Sequence, residues 1–174
     1  MAGQEFYVVG IGTSAGGLEA LERFYKGMPV TDKLCFLVIQ HLSPDYKSHM
    51  VELLSKYTQL PVHEAADGVQ VEPGNIYLLP PRNNMTIFNG HLYLVEYDRS
   101  QGLNLPIDIL FESLAKDQKN YAIGCILSGT GSDGTRGVRA IKENGGFVIA
   151  QNDSARFDGM PRSAIATQLV DYIS

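Results

Sequence analysis

The 174-residue chain is short of several features that mark whole functional classes. It has only two cysteines, Cys35 and Cys125, each inside an apolar run. Both are therefore read as buried free thiols that pack as small hydrophobes. No cysteine or histidine pair has metal-ligand spacing, and nothing calls for an oxidising compartment. There is no run of about 18 apolar residues and no charged-then-apolar leader, so neither a membrane span nor secretion is expected; the cytoplasm is the default. Basic charge is not in excess: 14 Lys and Arg stand against 19 Asp and Glu, a net charge of -5. An acidic surface attracts neither nucleic acid nor anionic lipid. Repeats, low-complexity tracts and linkers are missing too. The length suits one domain over residues 1–174, large enough to fold around a core without disulfides or metals.

What is present is an alternation of strands and helices. Strands are expected at Glu5 to Gly10, Leu34 to Ile39, Tyr121 to Leu127 and Phe147 to Ala150, with helices at Gly16 to Lys26, Asp45 to Tyr57, Pro106 to Lys116 and Gly134 to Asn144. Short strands at Asn75 to Leu79, Met85 to Phe88 and His91 to Glu96 interrupt the pattern, and Asn89-Gly90 between the last two signals a type I′ hairpin. The reading is an α/β fold: a doubly wound, mainly parallel sheet with an antiparallel hairpin insertion. The chain stops at Asp171-Tyr172-Ile173-Ser174 without a terminating signal, which suggests a piece of a longer protein.

The first expected strand runs into Gly12-Thr13-Ser14-Ala15-Gly16. This fits G-x-S-x-G, a sharp strand-to-helix turn that lifts a serine hydroxyl above a sheet edge. Gly10-Ile11-Gly12-Thr13-Ser14-Ala15 also fits the looser dinucleotide pattern G-x-G-x-x-G/A. That reading requires an acidic residue at the end of the second strand to hold the ribose. Gln40-His41 stands there instead, and Asp32 precedes the strand.

Three polar groups fall just beyond three expected strand ends: Ser14, His41, and Asp133 within Ser128-Gly129-Thr130-Gly131-Ser132-Asp133-Gly134. Such ends open onto one edge of a doubly wound sheet, at its topological switch point. A serine becomes a useful nucleophile when an imidazole takes its proton, and a carboxylate fixes that imidazole's tautomer. The order Ser-His-Asp differs from the Ser-Asp-His order of α/β-hydrolases. Each residue has a structural alternative: Ser14 and Asp133 as helix caps, His41 as a polar strand end. Asp153 is the reserve carboxylate and Asp108 a weaker one. His49 (expected mid-helix), His63 (expected in a short strand) and His91 (expected beside the hairpin turn) are read as structural or solvated.

On these motifs the chain resembles the catalytic domain of the chemotaxis protein-glutamate methylesterases, the CheB family, along essentially its whole length. Gly10-Ile11-Gly12-Thr13-Ser14-Ala15-Gly16-Gly17 is similar to the family's nucleophile turn, and Gln40-His41 to its histidine strand end. Leu127 to Gly134 is similar to its L-T-G-M-G-x-D-G segment. Glu64-Ala65-Ala66-Asp67-Gly68, Pro73-Gly74-Asn75-Ile76-Tyr77 and Gly159-Met160-Pro161-Arg162 extend the match. The resemblance implies a serine esterase hydrolysing glutamate γ-methyl esters on the methylated cytoplasmic helices of chemoreceptors, with glutamine deamidation as a related activity. It casts Ser14 as nucleophile, His41 as base and then acid, and Asp133 as orienting carboxylate. The family's backbone oxyanion donor falls at Thr130; Ala15 N–H, expected at a helix N-terminus, is a second candidate. No metal and no organic cofactor is implied. Ala15 replaces the family's usual threonine and Thr130 its usual methionine. The family commonly carries an N-terminal receiver domain and none is expected within residues 1–174, so regulation is expected from a receiver or methyltransferase domain elsewhere in a longer protein, from a partner, or not at all. The alternative is a weakly active or inactive docking module on the same fold.

Overall fold

The computed structural model describes residues 4–40, 49–98, 100 and 102–174. Seven strands form one sheet, all of whose recorded pairings are parallel, in the order β3-β4-β2-β1-β7-β8-β9. They are β1 (Tyr7–Thr13), β2 (Leu34–Gln40), β3 (Val62–Glu64), β4 (Ile76–Leu78), β7 (Ala122–Ile126), β8 (Phe147–Ala150) and β9 (Tyr172–Ile173). The remaining pair, β5 (Asn83–Phe88) and β6 (His91–Glu96), is a separate antiparallel hairpin. The helices are α1 (Gly17–Tyr25), α2 (Met50–Ser55), α3 (Pro106–Gln118), α4 (Thr135–Glu143) and α5 (Gly159–Ala166). The doubly wound reading with an inserted hairpin therefore holds.

Strand periodicity sorts the apolar side chains onto two faces. Cys35, Leu37 and Ile39 of β2 join the core formed with α3 and α4. Phe36 and Val38 join the core formed with α1 and α2. Cys125 lies in the α1 core, so the two buried thiols sit in different layers, and burial pushes each up to about 12. On the α3 face β1 carries Gly10 and Gly12 in place of larger residues. A Cβ on Gly10 would lie 2.9 Å from both Phe111 and Leu114, and one on Gly12 would lie 2.7 Å from Ile107. The helix seats directly on the bare backbone.

That close packing explains a shifted boundary. The first strand does not stop at Gly10 but runs on to Thr13, because β2 and β7 pair with it through Gly12 on both sides. Glycine weakens an isolated strand, and here the flanking ladders override that tendency. In the hairpin, Asn89 and Gly90 both have positive φ, 49° and 72°, as a type I′ turn demands. Asp117 of α3 accepts hydrogen bonds from both their N–H groups, at 2.6 and 3.2 Å. Two elements were not expected from the sequence. α5 carries Gly159 and Pro161 in its first turn, which masks its helical pattern, and β9 has only two residues. Of the helix expected from Asp45, residues 45–48 lie outside the described ones. His49 is the N-cap residue of α2 and not a mid-helix residue.

Candidate active site

Strand β1 has β2 on one side and β7 on the other, so the chain leaves it in one direction and later returns on the opposite side. Crevices at such switch points are where open α/β sheets place ligands. Ser14 directly follows β1 at this point. Its N–H donates to Ser128 O at 2.9 Å, and its own carbonyl accepts from Gly17 N at 2.9 Å. Gly16, at φ 72° and ψ 10°, takes the third position of this four-residue turn, where a type II turn needs positive φ and hence glycine.

The N-cap of α1 is Gly16, and no side chain caps the helix. The capping alternative for Ser14 is thus not realised, and the serine is half-buried at the mouth of the crevice. Ala15 stands one residue before the N-cap of α1, not in its first turn.

The segment after β7 comes directly alongside. A Cβ on Gly129 would lie 3.0 Å from Ser14 Cβ and 2.6 Å from Met160 Sδ, so only glycine lets the strand ends meet. Ser128, which is buried, ties three segments together. Its hydroxyl donates to Ala15 O at 2.7 Å and accepts from Phe157 N at 3.1 Å, while its N–H donates to Gln151 Oε1 at 2.9 Å. Met160 N donates to Gly129 O at 2.9 Å, so the turn into α5 braces the same loop. The sequence offers a signal for this role only in the run Gly159-Met160-Pro161-Arg162. Thr130 is exposed on the loop, and among the described residues neither its N–H nor that of Ala15 donates a backbone hydrogen bond.

Asp133 caps a helix, but not the one that follows it. The N-cap of α4 is Gly134, with no side-chain bond. The two Asp133 oxygens instead accept from Ile107 N at 3.1 Å and Asp108 N at 3.0 Å, the first-turn donors of α3. Burial raises the Asp133 carboxyl above its ordinary range, and the neighbouring Asp108 adds to the rise; the backbone donors pull the other way. Asp108 is itself buried and raised by burial, and it accepts from Gly137 N at 2.8 Å. Asp153 is exposed beyond β8.

Gln40, the last residue of β2, reaches across to the serine turn: Nε2 donates to Ser14 O at 2.8 Å, and Oε1 accepts from the Thr13 hydroxyl. A cleft bordered by Val38, Gln40, Leu78, Pro80 and Pro106 runs from here towards the start of α3. His41 follows Gln40 and lies outside the described residues. The other histidines have local partners: His63 Nε2 bonds Asn75 Oδ1 at 2.8 Å and its ring stacks on Tyr77, and His91 Nδ1 bonds Asn89 O at 2.8 Å. His49 lies 3.9 Å from Glu52. Among the described residues no cluster of His, Cys, Asp and Glu could hold a metal ion, and no helix is long and apolar enough to cross a membrane.

The crevice thus brings Ser14, Ala15, Gln40 and the 128–134 loop to one sheet edge, an arrangement suited to presenting a hydroxyl beside free backbone donors. The chain is 34% identical over 171 residues to a protein-glutamate methylesterase/protein-glutamine glutaminase of Photorhabdus laumondii, covering 95% of this chain and 49% of that protein. The protein of the same description from Escherichia coli K12 is also 34% identical, over 163 residues, 46% of its length. A 104.1 kDa protein of Rhodobacter capsulatus, described as uncharacterized, is 47% identical over 123 residues, 70% of this chain and 13% of that one. The chain therefore spans about half the length, or less, of these relatives. Among solved structures, the Thermotoga maritima CheB methylesterase catalytic domain superposes with a TM-score of 0.86 at 30% identity, covering 98% of this chain and 93% of that one. The family model for CheB methylesterase matches residues 9–174, and this chain belongs to that family.

Proposed function

We propose that this chain is a serine esterase that hydrolyses glutamate γ-methyl esters on the cytoplasmic helices of chemoreceptors, and that it also deamidates glutamine. The observation that carries this reading is the uncapped Ser14 at the switch point, in contact with the loop that bears Thr130 and Asp133. In this reading the Ser14 hydroxyl attacks the ester carbonyl while His41 accepts its proton. The tetrahedral oxyanion is held by the Thr130 and Ala15 N–H groups. Collapse expels methoxide, which leaves as methanol with the proton from His41. Water, deprotonated by His41, then releases the glutamate carboxylate and restores the serine. Asp133 orients the imidazole and balances its charge.

The relatives' names support the chemistry, and their greater length supports a place beside further domains, such as a receiver or a methyltransferase, in a cytoplasmic signalling protein. Residues 1–174 act as one catalytic domain that requires no cofactor. The test is methanol release from a methylated receptor fragment. Ser14→Ala and His41→Ala are expected to lower kcat by roughly 10⁴ to 10⁶-fold. A serine-directed phosphonate is expected to label the wild type at Ser14 by mass spectrometry. Near-normal turnover in Ser14→Ala, or labelling elsewhere, refutes the assignment.

A further inference from the structure

Gln40 holds the peptide from which one of these oxyanion donors projects. Its strand position is opposite Thr13 in the β1–β2 register, so its carboxamide spans the two strand ends. The orientation of that amide follows from its partners. Ser14 O can only accept, so Nε2 must face it, and Oε1 faces the Thr13 hydroxyl. Room for the bridge comes from Gly17, where a Cβ would run into Gln40 Oε1 and lie 2.6 Å from Thr13 Oγ1. Gly17 N supplies a second donor to Ser14 O at 2.9 Å, so the carbonyl is anchored from two sides.

A trans peptide is planar, with its C=O and N–H pointing in opposite directions. No cis peptide bond occurs among the described residues. Fixing Ser14 O towards Gln40 and Gly17 therefore fixes the Ala15 N–H away from them. The next peptide is pinned as well, through Ala15 O and the buried Ser128 hydroxyl. We propose that Gln40 is a positioning residue for catalysis: its carboxamide locks the Ser14–Ala15 peptide plane so that the Ala15 N–H is preset to receive the oxyanion. This inference rests on the proposed role of Ser14. Gln40 itself touches no reacting atom in this scheme.

The test uses a peptide carrying a glutamate γ-methyl ester, with kcat and KM measured for wild type, Ser14→Ala, Gln40→Met and Gln40→Glu. Gln40→Met removes the donor, and kcat is expected to fall about 10²-fold with KM within about twofold, because an oxyanion contact acts only on the transition state. Gln40→Glu keeps the shape and the acceptor for Thr13. Its ionised form cannot donate to Ser14 O, whereas its protonated form can. The ratio of its kcat to that of wild type, each read on the plateau of its own pH profile so that a shift of the His41 titration by the new charge drops out, is therefore expected to be about 10²-fold below one. A Gln40→Glu plateau ratio within about threefold of one overturns the inference, and this arm decides alone if Gln40→Met does not fold. A Gln40→Met enzyme within about threefold of wild type, or one changed only in KM, overturns it too. Turnover that survives Ser14→Ala overturns the nucleophile assignment and this inference with it. Ser14-dependent turnover that is indifferent to Gln40 overturns this inference alone.

Discussion

Asp133→Asn separates the two tasks that fall on one carboxylate. In the wild type each oxygen accepts a different N–H from the first turn of α3, at 3.1 and 3.0 Å. The amide keeps one acceptor oxygen and turns its NH2 group towards the other donor. Leaving one buried N–H without a partner costs about 1–3 kcal/mol. Removing a negative charge from a helix N-terminus costs roughly 0.3–1 kcal/mol more. Against this, the substitution relieves the burial and the Asp108 repulsion that raise the Asp133 pKa. The net expectation is a loss of about 2 kcal/mol, or roughly 4–8 °C in Tm for a domain of this size. A domain stable by about 5–15 kcal/mol stays folded at 25 °C after such a loss. The accompanying fall in kcat, about 10⁴-fold if Asp133 holds the tautomer of His41, then reports on chemistry and not on unfolding. Urea and thermal melts followed by circular dichroism give the first number, and methanol release gives the second. An unchanged Tm refutes the capping argument; near-normal turnover in folded protein refutes the catalytic one.

Two further outcomes follow from the packing and from the buried charges. Gly12→Ala inserts a methyl group 2.7 to 2.9 Å from three carbons of the fully buried Ile107. Overpacking of this kind costs about 1–3 kcal/mol, and the displaced Ile107 also carries an N–H that Asp133 accepts; equal urea midpoints for variant and wild type refute the seating of α3 on bare strand backbone. Asp108 has a folded pKa raised by burial, so its contribution favours folding below the unfolded pKa near ~3.9 and is lost as pH rises through the higher folded value. Asp108→Asn is therefore expected to gain stability relative to wild type between pH 3.5 and 7. A difference in urea midpoint that stays constant over that range refutes it.

Much of the architecture could be read along the chain, because it is written in local patterns. Continuous apolar runs marked β2 and β7, and Asn89-Gly90 has the two positive φ values of its turn type. The end of β1 lies at Thr13, beyond the expected Gly10, since a Gly-x-Gly run resembles a strand end and only the two neighbouring ladders hold it extended. α5 is not legible in the sequence because Gly159 and Pro161 disguise its opening turn, which is stabilised by its packing on Gly129.

At the site, the sequence by itself determined the residue types and their place after strand ends: Ser14 after β1, Gln40 at the close of β2, and Asp133 beyond β7. Tertiary structure alone decided what each of them touches. Asp133 precedes α4 yet caps α3, 26 and 25 residues back in the chain. Gln40 grips the carbonyl of Ser14 from 26 residues away, and Gly129 is small because Ser14 and Met160 crowd it. Strand and turn preferences act over a few neighbouring residues, so they can be read in order along a chain. Hydrogen bonds between strand ends depend on which strands become neighbours in the sheet, and that is fixed only when its layers pack.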